Sequence, residues 1–210
     1  MKKREQWENY YELGVSYYET NDYLKAIENL KKSIKVSPIN ANNYFGNYWL
    51  GMSYYDNKEY KKAIKAFENS INEILEDENH YFSNYWLGMS YYKNKNYSKA
   101  INFFDKSIKF SITKKNKYFS NYWLGISYYE QRNYLKAIEI LKKSIEIAPT
   151  HNEKYFSNYS LVLSYYKNKN YIEVIEALNK SFELSLNIDK KYLFEYQMMK
   201  IEIIQKLLKI

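Results

Sequence analysis

The chain has 210 residues, of which 46% are hydrophobic and 27% charged, so it can bury a substantial core without metals or disulfides. It contains no cysteine, which excludes disulfide frameworks, cysteine-ligated zinc and thiol nucleophiles and fits a cytoplasmic location. The formal net charge of +8 suits an acidic or nucleic-acid partner, although lysines scattered over solvated helix faces give the same total. We expect no secretory signal and no membrane contact, because the basic N-terminus runs into polar residues and no apolar run could span a bilayer.

A unit of 37 residues recurs along the chain. Gly14, Gly51, Gly88 and Gly125 stand at this interval, and Val162 takes the next step. Each is preceded by Leu and followed three and nine residues later by Tyr. Within each unit the apolar spacing is helical, and short polar segments such as TND at 20–22 and NKN at 94–96 interrupt it. Asn tolerates left-handed backbone and competes for local hydrogen bonds, so these segments end one helix and start the next. Each unit therefore predicts a helical hairpin.

The glycines predict close contact between the two helices of a hairpin. Gly in a helix interior costs about 1 kcal/mol relative to Ala, so its presence in four units indicates that the missing side chain admits the second helix. We expect this approach at Ala26, Ala63, Ala100 and Ala137. The fifth unit has Val162 and Val174 at the two places, which predicts a wider spacing of its helices.

These residues resemble the tetratricopeptide repeat family, whose units carry a Leu-Gly pair, a Tyr three residues later, a second Tyr before the second helix and an Ala within it. Pro38 and Pro149 fit the Pro that often closes a unit. The resemblance implies an all-α fold, a right-handed superhelical solenoid of five helix-turn-helix repeats. The repeats cover approximately 7–40, 44–77, 81–114, 118–151 and 155–188. Residues 1–190 thus form the repeat array, and 191–210 form a C-terminal capping helix.

The units depart from the family pattern in two ways. Asn47, Asn84, Asn121 and Asn158 stand where the family keeps a large aromatic, and Trp49, Trp86 and Trp123 follow two residues after the first three. The period also exceeds the family's 34 residues by about one helical turn. Thr150 and Glu153 form a capping-box pattern after Pro149, so we interpret the insertion as a lengthened first helix, with a longer loop as the alternative.

In the family the first helix of each unit lines the inner, concave surface, and the resemblance implies a groove at these positions. The implied groove residues are Phe45, Tyr48, Met52, Tyr55, Phe82, Tyr85, Met89, Tyr92, Phe119, Tyr122, Ile126, Tyr129, Phe156, Tyr159, Leu163 and Tyr166. Within each unit their spacing puts them on one helix face. Such a groove suits an apolar or aromatic peptide or helix, because rings bury much area at low rotamer entropy and Met adapts its shape. The alternative is that these residues pack against neighbouring units as core.

No Lys or Arg occupies any of these groove positions. Chaperone-binding members of the family clamp a C-terminal carboxylate with Lys and Asn at such positions, so we reject that activity. Phosphate binding needs cations as well as stacking rings, which disfavours nucleic acid in the groove. Basic clusters at 31–35, 61–65 and 114–117 keep nucleic-acid binding as a third hypothesis. Elsewhere Lys and acids alternate at helical spacing, as in Glu28 with Lys32, which is typical of a solvated helix face.

The last segment, KKYLFEYQMMKIEIIQKLLKI, carries two apolar stripes. The first contains Phe194, Met198, Ile201 and Leu208; the second contains Tyr196, Met199, Ile203, Leu207 and Ile210. One stripe can cover the fifth unit, and the other then needs a partner such as a second copy of the chain. We assign homodimerisation to the second stripe, with the alternative that a curved array buries both.

No arrangement of residues in the sequence points to catalysis, a cofactor or a metal. His80 and His151, the only histidines, lie between units, are expected to be exposed, and have no second ligand at metal-binding spacing. The sequence therefore predicts a non-enzymatic scaffold that binds a peptide or helical segment of a protein partner in an aromatic groove. Self-association through the C-terminal helix is the alternative.

Overall fold

The computed structural model describes residues 2–38, 43–73, 77–185, 200–201 and 203–205, and their regular secondary structure is α-helical. The helices are α1 (Lys2–Glu19), α2 (Tyr23–Val36), α3 (Tyr44–Asp56), α4 (Tyr60–Asn72), α5 (Asp77–Lys93), α6 (Tyr97–Lys109), α7 (Lys114–Glu130), α8 (Tyr134–Ile147), α9 (His151–Lys167) and α10 (Tyr171–Ser185). Residues 200–201 and 203–205 are also helical. The chain divides into two compact units, Met1–Phe110 and Ser111–Ile210, and within each unit helices that follow one another in the chain pack together.

Each hairpin turns on a residue with left-handed backbone. Asn21, Lys58, Lys95, Arg132 and Lys169 have φ angles of 61°, 63°, 61°, 64° and 63°. Two hydrogen bonds close the helix end before each turn. At the turn after α3, the Lys58 N–H donates to the Tyr55 carbonyl (2.9 Å) and the Glu59 N–H donates to the Tyr54 carbonyl (2.8 Å).

Asparagine takes part at both ends of these turns, as predicted, but in different turns. It supplies the left-handed residue at Asn21, whereas Lys or Arg takes that conformation in the other four turns. The asparagine that follows caps the next helix instead: Asn96 accepts from the Lys99 N–H (3.2 Å) and Asn133 from the Lys136 N–H (3.3 Å). The cap satisfies a backbone donor that has no partner inside the helix.

Gly14, Gly51, Gly88 and Gly125 each make room for a large side chain of the second helix of their own hairpin. A Cβ on Gly51 would lie 2.7 Å from the ring of Phe67, and one on Gly88 would lie 2.9 Å from the ring of Phe104. Gly14 and Gly125 face leucines at the same place on their second helices. The missing Cβ therefore lets a ring or a leucine side chain fill the space between the two helices.

The residue that approaches each glycine lies one turn beyond the predicted alanine. Ala26, Ala63, Ala100 and Ala137 are fully buried, but the nearest atoms belong to Leu30, Phe67, Phe104 and Leu141. The longer side chains reach across the interface, whereas an alanine methyl is too short to do so. In the fifth hairpin Val162 and Val174 are both fully buried, and the wider spacing of its helices stays a prediction.

Four of the five first helices are longer than the second helices with which they pair, and α1 with 18 residues beside 14 in α2 is one of them. The helices α5, α7 and α9 have 17 residues each, whereas α4 and α6 have 13. Thr150 caps α9: its hydroxyl accepts from the Glu153 N–H and donates to the Glu153 carboxylate. This confirms the predicted helix start at Thr150 and places the extra turn in the first helix, although the Glu153 carboxylate binds the Thr150 hydroxyl and not its backbone N–H. Helix α3 is shorter, with 13 residues, and begins just after 39–42, which lie outside the described residues.

Serine and tyrosine hydroxyls connect successive hairpins inside the core. Ser83 of α5 lies 3.2 Å from the Ser70 hydroxyl of α4 and 3.5 Å from the Tyr44 hydroxyl of α3. In α9, Ser157 receives a hydrogen bond from Ser144 of α8 at 2.9 Å. All of these residues are buried, so each hydroxyl needs a protein partner, and these bonds define how neighbouring hairpins align.

Candidate functional site

The first helices present the predicted groove residues with unequal exposure. Phe45 is 54% exposed and Phe82 is 45% exposed, whereas Phe119 and Phe156 are half-buried. The predicted tyrosines are all half-buried: Tyr48, Tyr55, Tyr85, Tyr92, Tyr122, Tyr129, Tyr159 and Tyr166. The accessible part of this surface is therefore mainly aromatic.

Met52 and Met89 belong to the core, which corrects their assignment to the ligand-contacting surface. They are 8% and 6% exposed, so almost none of either side chain is open to a ligand. The reason is the neighbouring first helix, since α3 contacts both α1 and α5. The equivalent residues of the second unit, Ile126 and Leu163, are half-buried and line a pocket.

Trp49 and Trp86 bridge neighbouring first helices, a contact that the sequence predictions missed. Trp49 of α3 packs on Tyr18 of α1, and Trp86 of α5 packs on Tyr55 of α3, with ring centroids 5.1 Å apart in both pairs. The indole N–H of Trp86 also donates to the Tyr48 hydroxyl, and Trp49 bonds to the preceding repeat in the same way. The common 37-residue interval of the Trp and Tyr positions is the signal that could have revealed this pairing.

The asparagines that stand where the family keeps a large aromatic are buried. The side-chain amides of Asn84, Asn121 and Asn158 donate to the carbonyl four residues earlier, at 2.7, 2.7 and 2.8 Å. Asn47 donates to the Glu73 carboxylate at 3.1 Å. These positions therefore hold satisfied amides, and in α3, α5 and α7 the large ring is the tryptophan two residues later.

A pocket of about 330 Å³ lies between α7 and α9. It is lined by Tyr122, Ile126, Tyr129, Glu130, Tyr155, Phe156, Tyr159, Ser160 and Leu163. Most of these are predicted groove residues; Glu130, Tyr155 and Ser160 are the additions. The volume lies at the lower end of the range for ligand sites, so the pocket can enclose a large side chain of a bound segment.

Ser160 takes the place that tryptophan has in the second, third and fourth units. It stands two residues before Val162, as Trp86 stands two residues before Gly88. The Ser160 hydroxyl donates to the Phe156 carbonyl (3.0 Å) and forms a hydrogen bond with the Tyr122 hydroxyl. A small polar side chain thus replaces an indole beside the tyrosines of α7. The space that the indole would fill is part of the pocket.

The electrostatic character of the pocket is neutral to weakly acidic. Burial raises the pKa of Tyr122 and of Tyr129 above the ordinary tyrosine value, so both hydroxyls stay protonated at neutral pH. Glu130 is the charged residue among the lining side chains of the described chain. Such a site offers rings and hydroxyls to a ligand, but no cation for a phosphate or a carboxylate.

The C-terminal stripe assigned to self-association falls largely outside the described residues. Tyr196, Met199, Leu207 and Ile210 are among those not described. Ile203 is described and is 4% exposed, within the hydrophobic core that the fourth and fifth hairpins share. This corrects its assignment, because a side chain buried in the protein's own core is not available to a second copy. Ile201, on the other stripe, is exposed.

The remaining charged groups of the described chain lie on the surfaces of helices. The predicted pair Lys32 with Glu28 forms an ion pair (2.5 Å), and Lys143 with Glu139 forms another at the same helical spacing (2.8 Å). His80 is half-buried and stacks on the Phe110 ring with centroids 4.7 Å apart, which corrects its expected exposure. Within the described residues, no group of potential ligands could hold a metal ion, and no helix is long and apolar enough to cross a membrane.

Known proteins similar to this chain share its architecture. Two family profiles, both described as tetratricopeptide repeat, match residues 8–40, 46–73, 81–112 and 118–151, together more than half of the chain. Among solved structures, MamA protein is 24% identical with a TM-score of 0.76, covering 86% of this chain and 92% of that one.

Two further structures extend the likeness. The apo form of RapI is 17% identical with a TM-score of 0.81, covering 95% of this chain and 81% of that one. YrrB, a TPR protein with an unusual peptide-binding site, is 17% identical with a TM-score of 0.68, covering 83% of this chain and 84% of that one. A search of curated proteins gives no match. At these identities the structural likeness establishes the fold, an all-α array of helical hairpins.

Proposed function

The chain belongs to the tetratricopeptide repeat family, and from this premise we propose that it is a non-enzymatic scaffold that binds a segment of a partner protein between α7 and α9. Arrays of such hairpins serve as extended surfaces for protein–protein interaction. The family alone does not specify a ligand, so the pocket itself must carry the proposal.

The single observation that supports this function is the pocket between α7 and α9. Its wall combines four tyrosines, a phenylalanine and two aliphatic side chains, with an opening that a peptide side chain can enter. Aromatic rings bury a large area at low entropic cost, and their hydroxyls can bond to the backbone of an extended or helical segment. The similar protein YrrB carries a peptide-binding site, which makes a peptide ligand reasonable for this chain.

A nucleic-acid ligand is a poorer fit to this pocket. Single strands are held by stacking rings together with cations that neutralise the phosphates. The described lining of the pocket supplies the rings, but its charged member is the carboxylate of Glu130. A polypeptide segment without a requirement for phosphate neutralisation matches the site better.

Peptide selection from a random display library tests the proposal. The full chain should enrich a family of peptides that Ile126→Lys no longer enriches, because the charge is placed inside the pocket. Ile112→Lys is the matched control, since Ile112 is exposed and does not line the pocket. It should enrich the same peptides as the unchanged chain.

Circular dichroism should show the same helicity for all three proteins. If the unchanged chain and Ile126→Lys enrich the same peptides, or neither enriches any, the proposed function is contradicted.

A further inference from the structure

The repeats contain a template for what the pocket between α7 and α9 can bind. In α5, Trp86 lies against Tyr55 with ring centroids 5.1 Å apart at 66°, and against Tyr85 at 5.4 Å and 81°. Its indole N–H donates to the hydroxyl of Tyr48. Three tyrosines thus surround one indole, two through their rings and one through its oxygen.

The same three tyrosines surround the pocket in the second unit. Tyr129 corresponds to Tyr55, Tyr159 to Tyr85 and Tyr122 to Tyr48, each displaced by two 37-residue steps. All three members of the second set line the pocket, and Ser160 stands where the indole would be attached. We call this set the indole socket (Tyr122, Tyr129, Tyr159 and Ser160). Its tyrosines correspond to those that contact Trp86, but Ser160 stands in place of the tryptophan.

We propose that the indole socket takes a tryptophan side chain of the bound segment, which replaces the tryptophan that the second, third and fourth repeats supply from their own first helix. The inference rests on the proposed function, because the tryptophan belongs to a protein partner. Its ring would contact Tyr129 and Tyr159 edge to face, as Trp86 contacts Tyr55 and Tyr85. Its N–H would donate to the Tyr122 hydroxyl, which can accept this bond while it is bonded to Ser160.

The chemistry of the socket favours an indole over other large side chains. A leucine would bury comparable apolar area, but it could not donate a hydrogen bond to the Tyr122 hydroxyl and would lose the ring contacts. A phenylalanine would keep the ring contacts but would lack the N–H. Tryptophan is also a frequent anchor of protein interfaces, because it fills a pocket and donates one hydrogen bond.

Binding of N-acetyl-tryptophanamide to the full chain tests the inference, with N-acetyl-leucinamide as the control ligand. Methyl NMR signals of Ile126 and Leu163, which line the pocket, report occupancy. The tryptophan amide should shift both signals with a Kd on the order of millimolar, as expected for a ligand of this size. The leucine amide should bind at least about tenfold more weakly.

The decisive variant is Ser160→Trp, which gives the fifth repeat an indole at the position that Trp86 occupies in the third repeat. It should fill the socket and weaken binding of the tryptophan amide by about tenfold or more, with helicity kept and no loss of thermal stability. Ile112→Trp is the control, because it adds a tryptophan at an exposed position that does not line the pocket, and it should change the affinity by less than about threefold. If Ser160→Trp does not fold, Tyr129→Leu, which removes the main ring contact, should weaken binding of the tryptophan amide by about tenfold.

Several results would overturn the inference. These are equal binding of the two amides, unchanged binding by Ser160→Trp or Tyr129→Leu, or methyl shifts away from Ile126 and Leu163. A concentration-dependent dimer of the unchanged chain that Ser160→Trp abolishes would assign the socket to a second copy instead.

The two proposals can fail separately. Selected peptides that depend on Ile126 but share no tryptophan would leave the peptide groove standing without the indole socket. Binding of the tryptophan amide without any selected peptide would support the socket and contradict the scaffold function.

Discussion

The helical glycines show how one missing methyl group determines the spacing of a hairpin. Glycine is unfavourable in a helix by about 1 kcal/mol, yet four first helices keep it at the same place. At Gly51 the volume that a Cβ would need is occupied by the Phe67 ring, and Phe67 is fully buried. Packing therefore outweighs helix propensity at this residue.

Replacement of Gly51 by alanine should destabilise the protein although alanine is the better helix former. The new Cβ would lie 2.7 Å from a ring that cannot move away, and such overpacking costs about 1–3 kcal/mol. We expect the free energy of unfolding in urea to fall by about 1 kcal/mol or more. Gly46→Ala is the control, because its Cβ would lie 3.3 Å from the nearest atom of Ile34 and the propensity gain should offset the mild crowding. Equal stability of the two variants would contradict this account.

Among the elements, the turns between paired helices carry backbone strain. Four of the five left-handed turn residues are Lys or Arg, for which this conformation costs about 1–2 kcal/mol. The closing hydrogen bonds and the cap of the next helix hold them there. Glycine would adopt the same conformation without this cost.

Lys58→Gly should therefore stabilise the hairpin of α3 and α4. We expect a gain of about 0.5–1 kcal/mol in the free energy of unfolding, because relief of strain exceeds the added entropy of the unfolded chain. Lys65→Gly, on the exposed face of α4, should instead cost about 1 kcal/mol. Chemical denaturation of both variants measures the difference, and a loss of stability in Lys58→Gly would show that its side chain matters more than its backbone.

Removal of an indole between two first helices should create a second socket. Trp86→Ser should lower the unfolding midpoint, because a packed aromatic of this kind contributes about 3 kcal/mol. Indole at about ten times its Kd should restore about 1.4 kcal/mol. The control is Phe82→Ser on the same helix, which removes an exposed ring. Indole should change the stability of this variant no more than it changes the stability of the unchanged chain. If indole does not restore stability to Trp86→Ser, the comparison of the Trp86 site with the indole socket is contradicted.

At the scale of the whole molecule, the protein is a basic chain with 27 tyrosines, many of them buried between helices. Burial and a hydrogen bond to Glu68 raise the pKa of Tyr91 to about 12, and burial raises the pKa of Tyr122 and Tyr129 as well. In the unfolded chain tyrosine titrates near pH 10. The folded state therefore holds these protons more tightly than the unfolded state does.

The free energy of unfolding should fall at alkaline pH. Around neutral pH these tyrosines should not change it. Below about pH 10 these tyrosines are protonated in both the folded and the unfolded state, so their full contribution to stability is present. Above about pH 10 the unfolded state loses its protons first, so unfolding becomes easier up to about pH 12. Urea titrations between pH 7 and 12 test this, with tyrosinate absorbance as the monitor of ionisation. A folded protein whose tyrosines all titrate near pH 10 would contradict the expected burial.

Features that depend on neighbours along the chain could be predicted from the sequence. The helical hairpins follow from the apolar spacing and the polar turn segments, and the capping box at Thr150 and Glu153 correctly predicts the lengthened α9. The Leu-Gly and Tyr positions identify the family. These features are encoded locally, because helix periodicity and caps involve residues within one or two turns of each other.

Features that depend on the packing of one helix over another were decided only by the tertiary structure. Met52 and Phe45 share a face of α3, but the methionine is buried and the phenylalanine is exposed. The pocket at Ser160 exists because tyrosines of α7 and α9 meet across a place where an indole is missing. Periodicity gives the direction of a side chain from its own helix, whereas burial is determined by what the neighbouring helix brings to the same place.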